Sequence, residues 1–305
     1  MFVVFCLIER VLSGKMKGVK VFVLIVVFVT GVVVGRYQVF PYSLLQGAKR
    51  SLLPVDSDFH LRRPSVSSTR YTDTSQKVEV SCENVDFSNS LVALAFGQSN
   101  AANTGETRYT PKHSVFNFYR GKCYLAADPL LGATSDMGTV WSRLGDLIVE
   151  EKAYSSVVFI VMGVGGSSVS DWASEGELFG RIESVQKELD VVGIAITHLF
   201  WHQGEIDARI GTTTIEYKKR FLDMLEGIRG LGIKAPLYLA LASRCEGPVS
   251  KAIQSAQLEL IRERDDILKG ANTDVISDMD DRYDFCHFSD SGLKKHAESW
   301  MRTIE

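Results

Sequence analysis

The stretch "LVALAFGQSNAAN", residues 91–103, decides the fold class of this chain. Six apolar residues end at Gly97, and Gln98, Ser99 and Asn100 follow at once. An uninterrupted short apolar run is typical of a strand that is buried on both faces of a parallel sheet. Gly, Ser and Asn are also ordinary turn residues. Taken alone, the tetrapeptide therefore fits a plain polar turn equally well, and the rest of the chain must show whether Ser99 has a chemical role.

Apolar runs alternate with amphipathic segments from residue 91 to the end of the chain. This alternation predicts right-handed crossovers and an α/β domain with three layers, α/β/α, around a central parallel sheet. The predicted strands are 91–96, 157–161, 194–201, 236–242 and 274–277. The predicted helices are 140–152 with Thr139 as N-cap, 177–189, 214–229, 249–264 and 289–304. The long irregular segment 100–138 is expected to be functional or to contain small elements of its own.

The overall composition predicts a globular protein. The chain has 305 residues, of which 45% are hydrophobic and 23% charged, with a formal net charge of -3. No surface of one dominant charge is implied, so we expect no nucleic-acid partner.

A membrane anchor is predicted near the N-terminus. Residues 21–35, "VFVLIVVFVTGVVVG", carry no charge and lie between Lys20 and Arg36. Snorkelling of these two side chains extends the apolar segment to a predicted transmembrane helix at 18–40. Basic residues are concentrated before it, which predicts a cytoplasmic N-terminus at 1–17 and places the rest of the chain on the exoplasmic side, in a periplasm, at a cell surface or in a secretory lumen. A cleaved signal peptide is the alternative.

The segment that follows the anchor, 41–89, is predicted to be an exposed linker. It is rich in Ser, Thr and Arg and has no sustained apolar periodicity. The globular domain is therefore expected to occupy residues 90–305, with its first residues near 78–91.

Polar residues come directly after the predicted strands, where the carboxyl ends of parallel strands share one rim. These segments are 97–100, 163–168, 202–205 and 284–287. A serine hydroxyl becomes a nucleophile when a base takes its proton and a third group orients that base. Asp284 lies three residues before His287 and can bend back to one imidazole nitrogen, which leaves the other nitrogen for Ser99.

Ester hydrolysis also needs donors for the developing oxyanion. The backbone N–H of Ser99, a backbone N–H in the Gly165-Gly166 turn and the side-chain amide of Gln203 are predicted to converge from three adjacent strand ends. With them the set of nucleophile, base, orienting carboxylate and oxyanion hole is complete.

Four sequence blocks, "FGQSN", "GVGGSSVSDW", "FWHQGEID" and "DFCHFSDSG", resemble the successive blocks of the SGNH hydrolase superfamily. More narrowly, they are similar to its sialate O-acetylesterase and acetylxylan esterase branch, carbohydrate esterase family 6. The likeness runs from about residue 91 to 304. It implies a flavodoxin-like three-layer sandwich and a serine esterase that removes O-acetyl groups from a carbohydrate through an acetyl-enzyme intermediate. No cofactor and no catalytic metal are expected.

The resemblance also implies roles for individual residues. Ser99 would be the nucleophile, His287 the base and Asp284 its orienting carboxylate, while Ser99, Gly166 and Gln203 would form the oxyanion hole. Gln98 and Glu205 are additional candidates. Glu205 could orient His287 in place of Asp284, bind the sugar, or form an ion pair that holds its loop.

Two other functions fit the same blocks. A polysaccharide O-acetyltransferase would use the same Ser-His-Asp site and pass the acetyl group to a glycan hydroxyl instead of water. A non-catalytic carbohydrate-binding domain would have no need for the complete catalytic set. Outside the set, His198 is expected in the core, His202 in a packing role and His296 on a solvated helix face.

Four cysteines follow the predicted anchor, and an even number in an oxidising compartment permits disulfides. Cys245 and Cys286 lie in loops after the fourth and fifth predicted strands, which should be neighbours, so we hypothesise a bridge between them. Cys82 and Cys123 would then pair by elimination. Free thiols are the alternative.

Overall fold

The computed structural model describes residues 69–151 and 154–304. The predicted cytoplasmic segment, the membrane anchor and the first part of the linker lie outside these residues. Within the described ranges, no helix is both long and apolar enough to span a bilayer.

The domain is built on an eight-stranded sheet. Its strands are β1 (Glu79–Val80), β2 (Ser90–Gly97), β3 (Val115–Tyr119), β4 (Lys122–Leu125), β5 (Ser156–Val161), β6 (His198–His202), β7 (Leu237–Leu241) and β8 (Ile267–Asn272). They are arranged in the order β1-β4-β3-β5-β2-β6-β7-β8. Strands β3 and β5 to β8 run parallel to β2, whereas β1 and β4 pair antiparallel at one edge. The sheet is therefore mixed, and the prediction of a parallel sheet is wrong at this edge.

The antiparallel edge arises from the segment predicted to be irregular. Strands β3 and β4 are joined at Arg120 and Gly121, which have positive φ angles of 51° and 74°. Two successive residues with positive φ form a turn whose twist suits a β-hairpin. The aromatic residues of "VFNFY" and "KCYL" thus belong to strands of the sheet.

Helices cover both faces of the sheet, as predicted. They are α1 (Val140–Glu150), α2 (Val169–Trp172), α3 (Phe179–Val192), α4 (Glu205–Ile210), α5 (Thr214–Gly230), α6 (Lys251–Glu263) and α7 (Asp290–Met301). Alternate residues of β2 point to opposite faces because side chains in a strand have a period of two. Val92, Leu94 and Phe96 pack in one core with α3, α5 and α6. Leu91, Ala93 and Ala95 pack in the other with α1 and α7.

The last strand lies earlier in the chain than predicted. The sequence of β8, "ILKGAN", is interrupted by Lys269 and Gly270, and Lys269 is exposed. An edge strand needs burial on fewer sides than a central one, so it lacks the continuous apolar run by which the other strands were predicted. Residues 274–277 follow this strand as a loop.

Part of the predicted linker contributes to the folded domain. Strand β1 pairs with β4, and a disulfide joins Cys82 to Cys123, the residue of β4 that lies opposite Val80. Further upstream, the Tyr71 N–H donates to the Ala133 carbonyl at 2.8 Å.

Candidate active site

Ser99 lies where β2 ends, at the start of a 3-10 turn, Ser99–Ala101. Gly97, the last residue of β2, has φ +127°, and a Cβ there would lie 2.1 Å from the carbonyl oxygen of His202. Only glycine tolerates both the backbone conformation and the close approach of β6. The Gln98 N–H donates to the same carbonyl at 3.0 Å. This tight crossing of two strand ends holds Ser99 at the rim, where the residue retains 8% exposure.

His287 and Asp284 form a local pair on the loop before α7. Asp284 Oδ2 lies 2.6 Å from His287 Nδ1, and Asp284 Oδ1 accepts the backbone N–H groups of Cys286 at 3.0 Å and His287 at 2.6 Å. Burial alone would raise the pKa of the Asp284 carboxyl, but the hydrogen bond and charge of His287 and the two backbone donors hold that pKa below its ordinary value. The carboxylate thus fixes one imidazole nitrogen, and Nε2 is left for another partner.

Hydrogen bonds join the loop of His287 to the segment of Ser99. Asn100 Nδ2, one residue after Ser99, donates to the carbonyl of Cys286 at 3.4 Å. The Tyr283 hydroxyl donates to the carbonyl of Thr104 at 3.0 Å, and the Thr104 hydroxyl in turn donates to the Ser99 carbonyl at 2.6 Å. The neighbours of the nucleophile and of the base are therefore in direct contact, as a serine–histidine site requires.

A disulfide and a buried arginine also fix the position of the loop that carries His287. Cys286 is bonded to Cys245, with their Cα atoms 4.2 Å apart. Arg282 is only 3% exposed, and its guanidinium donates to the carbonyls of Cys286, Ile276 and Thr273. Burial lowers the pKa of Arg282, although nearby carboxylates oppose this effect. No feature of the sequence "DRYDFCH" distinguishes Arg282 from a surface residue, and sequence analysis did not select it.

Two backbone donors face the rim beside Ser99. Gly166 adopts a positive φ of 75°, and the preceding N–H, from Gly165, donates to the Thr134 hydroxyl at 2.9 Å. Among the described residues, neither the Ser99 N–H nor the Gly166 N–H donates to another protein group. Both are therefore available to an oxyanion.

The Gln203 amide is arranged differently from the prediction. Its side chain is fully buried, and Nε2 donates to the Asp207 carboxylate, to the Ser167 carbonyl at 3.2 Å and to Gln98 Oε1 at 3.4 Å. An amide nitrogen has two N–H bonds, and three acceptors surround this one. Gln203 thus stabilises the loop between β6 and α4. Its side-chain N–H groups are bonded within the protein, and none remains for an oxyanion. Gln98 Oε1 also accepts the N–H of Ile206 at 3.1 Å, so both glutamines position the turn before α4.

Glu205 is the centre of a buried polar chain. Its Oε1 accepts from Asn100 Nδ2 at 2.8 Å and lies 3.2 Å from His202 Nε2. His202 Nδ1 lies 3.1 Å from His296 Nε2, which also accepts the Trp300 indole N–H at 3.0 Å. Glu205 therefore contacts His202 and Asn100, and the partner of His287 is Asp284.

The hydrogen bonds of this chain determine where its protons lie. An indole nitrogen can only donate, so His296 Nε2 accepts and carries no proton. Burial, followed by the charges of His202 and Arg282, lowers the pKa of His296 well below its ordinary value, which keeps it neutral. His202 Nδ1 lies 3.1 Å from this same nitrogen of His296, and His202 Nε2 lies 3.2 Å from the Glu205 carboxylate.

His202 and Glu205 form a buried pair, with side chains 0% and 2% exposed. Burial by itself would raise the pKa of the Glu205 carboxyl, but the charge and hydrogen bond of His202 and the Asn100 amide outweigh it, and the pKa is lowered. His296 itself is fully buried, so the expectation that it occupies a solvated helix face is wrong. Its spacing from Leu293 and Trp300, which are buried on the same helix, was the available signal.

The comparison with known families bears directly on this site. Residues 89–303 match the family described as "Carbohydrate esterase, sialic acid-specific acetylesterase". The chain belongs to this family. It is a carbohydrate esterase, and the resemblance of its four sequence blocks to the SGNH hydrolases is confirmed.

Solved structures with a similar fold have low sequence identity to this esterase. A protein from Arabidopsis thaliana matches with a TM-score of 0.57 and 15% identity, over 70% of this chain and 96% of that one. NanS matches with a TM-score of 0.50 and 13% identity, over 70% and 96% of the two chains. At these identities the similarity concerns the fold. No curated protein matches the chain significantly.

Proposed function

We propose that this carbohydrate esterase removes O-acetyl groups from a glycan through an acetyl-enzyme intermediate on Ser99. The observation that carries the proposal is the contact of Asn100 with the carbonyl of Cys286, because it brings the residue next to Ser99 against the residue next to His287. A hydroxyl at a strand end, an imidazole held by a carboxylate and free backbone N–H groups are the parts that acyl transfer needs.

The proposed first half-reaction begins with attack of Ser99 Oγ on the acetyl carbonyl carbon. His287 Nε2 takes the hydroxyl proton, and Asp284, fixed on Nδ1, stabilises the imidazolium that forms. The N–H groups of Ser99 and Gly166 donate to the oxyanion. The bond from the carbonyl carbon to the sugar oxygen then breaks, and His287 returns the proton to that oxygen.

In the second half-reaction water attacks the acetyl-serine ester. His287 takes a proton from the water, the Ser99 Oγ bond to the acetyl carbon breaks, and Ser99 Oγ regains a proton. Acetate leaves, and the free enzyme is restored. In this proposal Gln203 acts by holding Ser167 and Gln98 in place, since its own N–H groups are bonded within the protein.

We further propose that the catalytic domain works on the exoplasmic side of a membrane, tethered by residues 18–40. Support comes from the two disulfides, Cys82–Cys123 and Cys245–Cys286, because such bonds persist in oxidising compartments. Mass spectrometry of the isolated protein after alkylation without reductant tests the exoplasmic location. Alkylation of all four cysteines of these two disulfides would contradict it.

The decisive test compares the full chain with Ser99→Ala. Both are incubated with p-nitrophenyl acetate and with an acetylated oligosaccharide, and free acetate and acetyl transferred to an added glycan are quantified. We expect free acetate from the wild type and at least about 10³-fold less from the variant. Acetyl found mainly on the added glycan would indicate a transferase, and equal rates for the two chains would refute the role of Ser99.

A further inference from the structure

A separate cavity lies on the same rim as Ser99, between the ends of β3 and β5 and the flank of α3. Its volume is about 250 Å³. It is lined by Phe118, Tyr119 and Gly132, by Ile160 to Met162 at the end of β5, and by charged residues of which three are arginines: Arg70, Arg120 and Arg181. The proposed mechanism uses none of these side chains.

The three guanidinium groups make no close contact with a carboxylate. In the described part of the chain, none of them forms an ion pair or a side-chain hydrogen bond, and Arg120 lies over the Tyr119 ring at 5.2 Å. Glu177 and Glu188 also line the cavity without pairing with these arginines. Burial and the charge of Arg70 lower the pKa of Arg181, and the charge of Glu177 opposes this shift only in part, so two like charges are held near each other. An anion between them would relieve this repulsion.

Two donors in the cavity wall have no partner. Arg181 Nη1 and the Tyr119 hydroxyl are buried from solvent and form no hydrogen bond among the described residues. Buried polar atoms are usually bonded, and an unbonded one needs an explanation such as a bound ligand. Both atoms belong to residues of the one cavity that also contains the three arginines.

The cavity is next to the proposed oxyanion hole. Arg70 pairs with Thr134 in an isolated β-bridge, and the Thr134 hydroxyl accepts the Gly165 N–H at 2.9 Å. Strand β5 separates β3 from β2, so the strand end at the cavity is about 10 Å from the end that carries Ser99, at roughly 4.8 Å per strand. This distance exceeds the width of one sugar ring, so a group in the cavity would belong to the neighbouring sugar.

We propose that this cavity is a subsite for a carboxylate on the sugar next to the acetylated one, so that the esterase acts on an acidic oligosaccharide. The inference rests on the proposed function for its kinetic test. Arginine is suited to this ligand because its planar guanidinium matches the two oxygens of a carboxylate.

The kinetic experiment uses the full chain, Arg181→Gln and Tyr119→Phe, with Arg262→Gln as control, since Arg262 is an arginine on α6 with a side chain 75% exposed. The substrates are an acetylated disaccharide whose second sugar is a uronic acid, its methyl ester, and p-nitrophenyl acetate. We expect Arg181→Gln to raise KM for the free acid about tenfold and Tyr119→Phe to raise it about threefold. The other two substrates and the control variant should be unchanged.

Equal kcat/KM of the wild type for the acid and its methyl ester would overturn the proposal, as would a preference that survives in Arg181→Gln. Should Arg181→Gln fold poorly, as judged by circular dichroism, Arg120→Gln replaces it, because Arg120 is exposed and should tolerate the change.

A binding experiment separates failure of the subsite from failure of the esterase proposal. Calorimetry with Ser99→Ala measures affinity for the uronate disaccharide without turnover, and the double variant with Arg181→Gln should bind about tenfold more weakly. This difference in affinity is expected whether or not the wild type releases acetate. Equal affinity of the two variants, or tighter binding of a sulfated disaccharide than of the uronate, would contradict a carboxylate subsite.

Discussion

Two histidine–carboxylate pairs with the same spacing of three residues lie in segments that contact Asn100, and the pairs differ in their access to water. His287 and Asp284 have side chains 24% and 39% exposed, with 2.6 Å between Nδ1 and Oδ2. His202 and Glu205 are 0% and 2% exposed, with 3.2 Å between Nε2 and Oε1. Asn100 connects the two pairs, because its amide donates both to Glu205 and to the carbonyl of Cys286.

This difference in exposure predicts different roles for the two pairs: one takes part in proton transfer, and the other stabilises the structure. The exposed imidazole has a free nitrogen and can exchange a proton with a substrate. Both nitrogens of the buried imidazole are already bonded, to His296 and to Glu205, so it cannot exchange a proton without breaking the network. The same two residue types are therefore expected to supply a base in one place and a structural hydrogen-bonded pair in the other.

Replacing the two histidines in parallel gives the largest expected effect. His287→Gln should lower kcat for p-nitrophenyl acetate by about 10³-fold or more, because the general base is lost, and change the free energy of unfolding by less than about 0.5 kcal/mol. His202→Gln should instead lower stability strongly. Kinetics and urea denaturation of both variants test this assignment, and similar stability losses for the two would argue against it.

Asp284→Asn should reduce kcat by about 10²- to 10⁴-fold with little change in KM, because the amide would hold His287 in the wrong tautomer. Asp280→Asn is the matched control, since Asp280 is an exposed carboxylate a few residues upstream. Steady-state kinetics decide the outcome. If Asp284→Asn retained near-normal kcat, another group would have to orient His287.

Glu205→Gln should destabilise the protein by about 1–3 kcal/mol, because it disturbs the buried hydrogen bonds that Glu205 makes with His202 and Asn100. Thermal or denaturant unfolding measures this loss. A double variant that also carries His202→Gln should be less destabilised than the sum of the single variants. Strictly additive losses would show that the two side chains are not coupled.

The smallest expected effect concerns pH. The pKa of Asp284 is below its ordinary value of 3.8 in the folded protein, so its paired carboxylate stabilises the fold above that value and ceases to do so as pH falls through the lowered pKa. The carboxylate is partly exposed, so the contribution should be under about 1 kcal/mol. The difference in unfolding free energy between wild type and Asp284→Asn should shrink between pH 5 and about pH 3; a constant difference would contradict this linkage.

Sequence analysis predicted the central strands, the helices on both faces and the local Asp284–His287 pair, because each depends on apolar periodicity or on residues close together in the chain. It missed β8 and the hairpin of β3 and β4. The strand β8 at the edge has a mixed pattern, and the hairpin turn at Arg120 and Gly121 has no Asn-Gly or Asp-Gly signal.

Contacts between distant segments could not be predicted in the same way. The hydrogen bonds of the Gln203 amide to Asp207 and Ser167 depend on the final positions of several loops, as do those of Arg282 to backbone carbonyls. His296 is an intermediate case. Its place on the apolar stripe of α7 was readable, but its contact with His202 joins residues that are 94 positions apart.

The separation of the site residues along the chain has a consequence for folding. Ser99 is contributed by β2 in the centre of the sheet, whereas His287 follows β8, the last strand, about 190 residues later. Contacts between residues so distant in sequence form late and slowly, because the entropy of closing the loop must be overcome first. A nascent chain that has not yet reached His287 therefore has a serine without its base, and hydrolytic activity should emerge only after β8 and the loop that follows it have joined the sheet.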